Sequence, residues 1–188
     1  METKGLGKSI VGVWSTRTIV AVAIGAALFG VLMNYGGIPV FTNTSLTTAM
    51  IVPVVVGAMY GALPAAVAAG VGNVIADLIG GWGLWFDWSV GNLVAGCLVG
   101  LGAYMLMRKF DAKNVIVYIV LVVLGNGLAF GVVTPILTAI FYGSELNVTF
   151  IQAIWGSLSN ILVEAVIGIP VIYMLAKRTS ARTNLEEE

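Results

Sequence analysis

Two stretches, residues 18–33 and 115–130, run without a single charged side chain, and they narrow the possible folds more than any other feature. Such runs suit helices that cross a bilayer, where lipid offers the backbone no hydrogen bonds and every N–H and C=O must be satisfied within the protein. Their apolar residues do not alternate with polar ones, which excludes the strands of an outer-membrane barrel. Composition agrees. Of 188 residues, 59% are hydrophobic and 10% charged, with a mean hydropathy of +1.01, whereas a soluble domain carries about 25% charge. The expected fold class is an all-α membrane protein.

Nine basic residues balance nine acidic ones, which offers nothing to nucleic acid. Their placement is more informative than their sum. Lys4, Lys8 and Arg17 precede the first apolar run, Arg108, Lys109 and Lys113 lie near the middle, and Lys177, Arg178 and Arg182 follow the last run. Lys and Arg near span ends are retained in the cytoplasm, so all three clusters are expected on one face, with both termini cytoplasmic and an even number of spans between clusters. Breaks at 34–46, 57–64, 80–87 and 141–149 then give six transmembrane helices, at 18–34, 46–60, 62–80, 87–107, 114–140 and 150–176. The second is short for a span and is expected to tilt, to kink at Pro53, or to be shielded by neighbours. The chain thus divides into a cytoplasmic segment 1–17, a six-helix transmembrane domain 18–176, and a cytoplasmic tail 177–188, whose last residues, 185–188, are open to a vector origin. The first apolar run is read as retained, because it is long, lacks a small-residue cleavage site and leads into further spans. With no histidine and one cysteine, Cys97, no disulfide is possible within the chain and a soft-metal site is not expected.

On this topology the longer outward connections are 34–46, 80–87 and 141–149, and none contains Lys or Arg. Triplets at Asn43 and Asn147 match the glycosylation pattern but occur too readily by chance to carry weight. The densest polar signal is Asn73-Val-Ile-Ala-Asp77-Leu-Ile-Gly-Gly-Trp82-Gly-Leu-Trp85-Phe-Asp87-Trp88-Ser-Val-Gly-Asn92. Asn73 and Asp77 share one helix face at i, i+4, as do Trp88 and Asn92 on the next helix. The tryptophans are consistent either with an interfacial aromatic belt, Asp87 capping a helix, or with a binding site. Asp77 lies inside a helix end, where an ionised carboxylate costs about 2.5 to 3.5 kcal/mol on insertion scales, and is expected to face a polar cavity. Ser157, Asn160 and Glu164 form a second stripe about 20 Å along the helix from Lys177 at ~1.5 Å per residue, which leaves Glu164 near mid-membrane as a structural or ligand-binding carboxyl. Asn126 is a further amide within an apolar run. With no basic partner in the outer half, these groups suit a neutral or polar ring compound better than a strong anion. In the first helix, Ala23 and Ala27 stand at i, i+4, spacing that lets another helix approach closely, within the chain or from a partner.

Taken together, six short helices in under 200 residues, the Ala23-x-x-x-Ala27 helix and the long outward loops resemble the substrate-binding S component of energy-coupling factor (ECF) vitamin transporters. Asp77-Leu-Ile-Gly-Gly-Trp82-Gly-Leu-Trp85 is similar to the Asp-Leu-Ile-x-Gly-Trp-Gly-x-Trp signature of the riboflavin-type S components. Gly57-Ala-Met-Tyr60-Gly-Ala-Leu-Pro64 and Asn160-Ile-Leu-Val-Glu164 agree with it. The resemblance implies a multi-pass subunit of the bacterial cell membrane that binds riboflavin, cobalamin or a related micronutrient from outside. Delivery would follow by toppling while docked to a transmembrane coupling (T) subunit and two ATPase subunits. It implies no cofactor of the chain's own, and ATP hydrolysis by the partners; no Walker A motif occurs here. It further implies docking through Ala23 and Ala27, with the outward loops as lids. Candidate substrate-binding residues are Asn73, Asp77, Trp82, Trp85, Asp87, Trp88, Asn126, Asn160 and Glu164. Two other classes compete. A self-sufficient secondary transporter would need an ion-coupled site, and no inverted repeat is evident. An intramembrane enzyme built on Asp77 and Glu164 would lack a recognisable base or nucleophile partner.

Overall fold

The computed structural model describes residues 10–12, 14–41, 44–143 and 146–186. Helix α1 (Thr16–Tyr35) starts at Ser15, whose hydroxyl accepts the Thr18 amide at 3.3 Å, and ends in a β-hairpin of β1 (Gly37–Phe41) and β2 (Thr44–Thr47). A 3-10 turn (Thr48–Met50) opens α2 (Ile51–Tyr60), and α3 (Ala62–Gly80) and α4 (Phe86–Arg108) follow. Then α5 (Ala112–Leu128) continues through a π turn (Ala129–Val133) into α6 (Thr134–Tyr142), and α7 (Leu146–Val166) continues past Ile167 into α8 (Gly168–Glu186).

The result is a bundle of six consecutive limbs running alternately up and down. Five are long and apolar enough to cross a membrane: Thr16–Tyr35, Ala62–Gly80, Phe86–Arg108, Ala112–Tyr142 and Thr149–Thr179. The remaining one, Thr48–Tyr60, is not. At ~1.5 Å per residue it rises only about 20 Å, against about 30 Å of hydrocarbon. Five of the six expected helices thus have the length and composition of a span, and the second is short, as its sequence indicates. That helix persists because its neighbours cover it: Val52, Pro53, Val54, Val56, Gly57 and Ala58 are buried. Pro53 sits in the first turn of α2, where a missing N–H costs little, so it does not kink the helix.

The connection at 34–46, expected only as a longer outward loop, carries an antiparallel hairpin, pairing Gly37 with Thr47, Ile38 with Leu46 and Pro39 with Ser45, with a bulge before Phe41. It is tied to the end of α1, since the Thr47 hydroxyl donates to the Leu32 carbonyl at 2.9 Å and the Thr48 amide to the Gly36 carbonyl at 3.0 Å. Asn34 also donates to the Ala76 carbonyl at 3.0 Å. The hairpin and the 81–85 turn thus share one end of the bundle. Arg17, the 108–113 turn and Lys177 lie at the other, where the Phe110 ring meets Tyr173 edge-on at 5.2 Å. Lys4, Lys8, Asn43 and the Arg182 side chain lie outside the described residues. At this basic end Asp111 caps α5 by accepting the Asn114 amide at 2.8 Å. That bond, with Lys109 beside it, holds the Asp111 carboxyl below its ordinary range.

Proline explains both irregular limbs. Pro135 cannot donate and its ring crowds the carbonyl four residues back, so the limb widens just before it, and the Thr134 amide reaches back five residues to Ala129. Pro170 likewise follows the break at Ile167. The tightest packing is built on glycine. A methyl group on Gly100 would collide with Ala65 of α3, one on Gly57 with the Gly100 backbone, and one on Gly96 with Ala69 at 2.9 Å. Lipid provides no hydrophobic drive between helices, so the α2, α3 and α4 backbones are held by this close approach. Gly127, by contrast, is exposed and meets nothing within 4 Å. Gly100→Val should therefore lower stability by about 1 to 3 kcal/mol, while Gly127→Val leaves it unchanged. Melting in detergent checks the pair, and equal melting temperatures would refute the packing account.

Candidate functional site

The polar residues of α3 and α4 meet where the two helices join. Asn73 donates to the Ser89 hydroxyl at 3.1 Å, and Asn92 donates to the Asn73 side-chain oxygen at 3.0 Å and to the Trp88 carbonyl at 3.0 Å. All three side chains are buried. Asp77 is buried as well, but it does not face a free polar cavity as expected. Its Oδ2 accepts the Trp85 amide at 2.9 Å, so the carboxylate closes the turn between α3 and α4 and satisfies an amide that begins a helix. Trp85 is folded over this turn, its indole N–H donating to the Trp82 carbonyl at 3.1 Å.

Asp87 is a further correction. The residue preceding α4 is Trp85, and Asp87 is the second residue of the helix, the acidic residue of its first turn; it does not cap the helix. Its fully buried carboxylate turns toward α6, where the Thr138 hydroxyl donates to Oδ2, while Oδ1 has no partner among the described residues. Thr134 donates to the Asp87 carbonyl at 3.3 Å. One turn further, Tyr142 accepts the Phe86 amide and donates to the Leu84 carbonyl, both at 3.1 Å. These α6 residues were not among the candidates. The spacing of Thr134, Thr138 and Tyr142, at i, i+4 and i+8, is the signal that marks them as one face.

A separate pair lies deeper. Asn126 of α5 donates to Glu164 Oε2 at 2.7 Å and to the Val122 carbonyl at 3.0 Å, leaving its own Oδ1 buried without a partner among the described residues. Ser157 donates to the Asn126 carbonyl at 3.4 Å and Tyr118 to the Glu164 carbonyl at 2.8 Å. The pair spends Glu164 on the α5–α7 contact. Between this pair and the α3–α4 cluster lies apolar packing, with Trp88 against Phe130 at 5.7 Å and Ala95, Ala129 and Ala153 around them. The nine candidates therefore do not form one constellation.

They divide by what their polar atoms already do. Asn73, Asp77, Asp87, Asn126 and Glu164 are engaged within the protein. Trp82, 60% exposed, Trp85 and half-buried Trp88 present ring surface. Asn160 is 5% exposed, and its side chain has no hydrogen bond among the described residues. Within those residues no group of three His, Cys, Asp or Glu lies close enough to hold a metal. The small residues of α1 divide in the same way. Gly25, Ala26 and Gly30 are buried in the bundle, while Ala23 and Ala27 lie on the outward face beside Val20, Ile24 and Leu28. An apolar groove of about 430 Å³ adjoins that face, lined by α1 residues including Ile24 and Leu28 and α2 residues including Val55 and Met59.

The family model for the ECF-type riboflavin transporter S component matches residues 13–177. The chain is 33% identical to a UPF0397 protein of Aliivibrio salmonicida, with 92% of this chain and 97% of that protein covered. It is 34% identical to a UPF0397 protein of Vibrio vulnificus, covering 92% and 98%. It is 27% identical to a UPF0397 protein of Clostridium perfringens, covering 93% and 96%. The match spans all six limbs, including the joined turn at Asp77 and Trp85 and the outward stripe of α1, and the chain belongs to the ECF-type riboflavin transporter S-component family.

Proposed function

We propose that this chain captures a vitamin, riboflavin, cobalamin or a related micronutrient, at the outer face of the bacterial cell membrane for import driven by partner ATPases. The hairpin end faces outward, and both termini and the 108–113 turn face the cytoplasm. The observation that carries the reading is the direction of the Ala23 and Ala27 stripe. Other small residues at this spacing, Gly96 and Gly100, are consumed by packing within the bundle, whereas Ala23 and Ala27 present a smooth face to the lipid side. Small residues in register on an outward face suit close approach by a helix of another subunit. The transmembrane coupling subunit is that partner, and two ATPase subunits supply the energy. The chain belongs to a family of transport subunits and is not an enzyme; ATP is used by its partners.

Flat apolar surface from Trp82, Trp85 and Trp88 at the outward end, and deeper in the bundle the amide of Asn160, without a hydrogen bond among the described residues, suit a ring system with a few polar atoms. The engaged carboxylates Asp77 and Glu164 hold the walls in place.

Three measurements test this. In a Cys97→Ser background, a membrane-impermeant maleimide should label W82C on intact cells and N114C only after permeabilisation; the reverse pattern would invert the topology. The paired change Ala23→Leu and Ala27→Leu should abolish co-purification with a coupling subunit and ATPase pair from the same bacterium while leaving the melting temperature unchanged. Retained assembly would remove the docking role. In titration calorimetry against riboflavin, cobalamin and the other B vitamins, one should bind tightly. For that vitamin Trp85→Ala and Asn160→Ala should each weaken affinity about 5- to 100-fold, and Asp77→Ala should instead lower thermal stability. Unchanged affinity in both of the first two variants would displace the site.

A further inference from the structure

The 81–85 turn hangs on few contacts. Gly81 and Gly83 both have positive φ, at 67° and 83°, and a side chain at either would meet nothing within 4 Å. A side chain at either position would be unsupported, although the Gly81 amide donates to the Asp77 carbonyl. From the α3 side the turn is held by Asp77, whose carbonyl accepts the Gly81 and Trp82 amides and whose carboxylate accepts the Trp85 amide. From outside α3 and α4, the hydrogen bonds to it among the described residues come from Tyr142, the last of α6.

Tyr142 grips the turn in three ways at once. Its hydroxyl accepts the Phe86 amide at 3.1 Å and donates to the Leu84 carbonyl at 3.1 Å, and its ring lies 4.7 Å from the Trp85 indole. The hydroxyl therefore satisfies a donor and an acceptor on either side of Trp85, using both of the roles available to a phenol. The grip is not buried. Tyr142 is 37% exposed and Leu84 and Phe86 are also exposed, so water can replace both bonds when the contact opens. A doubly bonded, water-accessible contact on a glycine-flanked turn is stable when closed and inexpensive to break.

We propose that Tyr142 is a latch, a positioning residue that holds the 81–85 turn and Trp85 closed against the last turn of α6, so that the turn opens only when both hydroxyl bonds break. Its consequence for ligand access rests on reading this end as the ligand-facing one; the latch itself does not. Thr138 and Thr134, one and two turns earlier on the same face of α6, bind Asp87 and keep the α6 anchor fixed when the tip releases.

The test is hydrogen–deuterium exchange on the full chain in detergent without ligand. Tyr142→Phe keeps the ring and removes the hydroxyl. It should raise the opening equilibrium for the amides of Trp85 and Phe86 about tenfold, while exchange in the middle of α3 and α4 and the melting temperature stay as in the wild type. Tyr104→Phe, which removes a hydroxyl bonded to Arg108 at the other end, should leave these amides unchanged. Unaltered exchange at Trp85 and Phe86 in Tyr142→Phe would overturn the latch. So would a uniform rise across all helices, which would make Tyr142 a general stabiliser. A failure of every vitamin to bind would count against the transport reading and not against this result.

Discussion

Close backbone contact between α4 and its neighbours supports everything else in this bundle. In water, burying leucine would suffice to bring helices together; in lipid, leucine is as well placed outside the bundle as inside it, and association must come from packing and hydrogen bonds. Gly96 and Gly100 bring α4 onto Ala69 and Ala65 of α3, and Gly57 brings α2 onto Gly100. That contact lets a 13-residue segment, too short to span alone, persist as the second limb. It also sets α3 and α4 near enough for Asn73, Ser89 and Asn92 to bond side chain to side chain. The polar cluster is thus a consequence of the glycine seam.

The same environment explains why so many candidate residues are occupied. A buried polar group without a partner is expensive in a bilayer, so the bundle spends its carboxylates and amides on itself. Asp77 takes the Trp85 amide just ahead of α4, Glu164 takes the Asn126 amide, and Asp87 takes the Thr138 hydroxyl. Rigidity follows, because each of these bonds joins two limbs. Trp82, Trp85 and Trp88 keep accessible ring surface, and among the described residues the Asn160 amide has no hydrogen bond and one oxygen each on Asp87 and Asn126 is fully buried without a partner.

Much of the architecture was legible in the chain. The limits of α3 were read to the residue, and α1 and α4 to within two, because glycine and charge punctuate long apolar runs sharply. The hairpin was not legible: Ile38 to Phe41 is too short for its strand character to stand out, and its partner strand is found only by folding back. The π turn and the break at Ile167 were also hidden, since proline announces an irregularity without saying how the limb absorbs it. Within the site, the i, i+4 pairing of Asn73 with Asp77 was visible, but its partners Ser89 and Trp85 lie across a turn. Tyr142 lies more than fifty residues from the backbone it holds.

By itself the sequence determined that this is a helical membrane protein, where α1, α3 and α4 begin and end to within two residues, and which residues are polar enough to matter, because hydropathy and helical periodicity are local properties. Only the tertiary structure decided which of those residues are free. Ala23 and Ala27 have the same spacing as Gly96 and Gly100, yet one pair faces outward and the other is sealed in the core. Asp77 and Asn160 are both buried, yet among the described residues one side chain is hydrogen-bonded and the other is not. Spacing places a side chain on a face of its own helix; whether that face is covered, and by what, depends on how distant limbs pack.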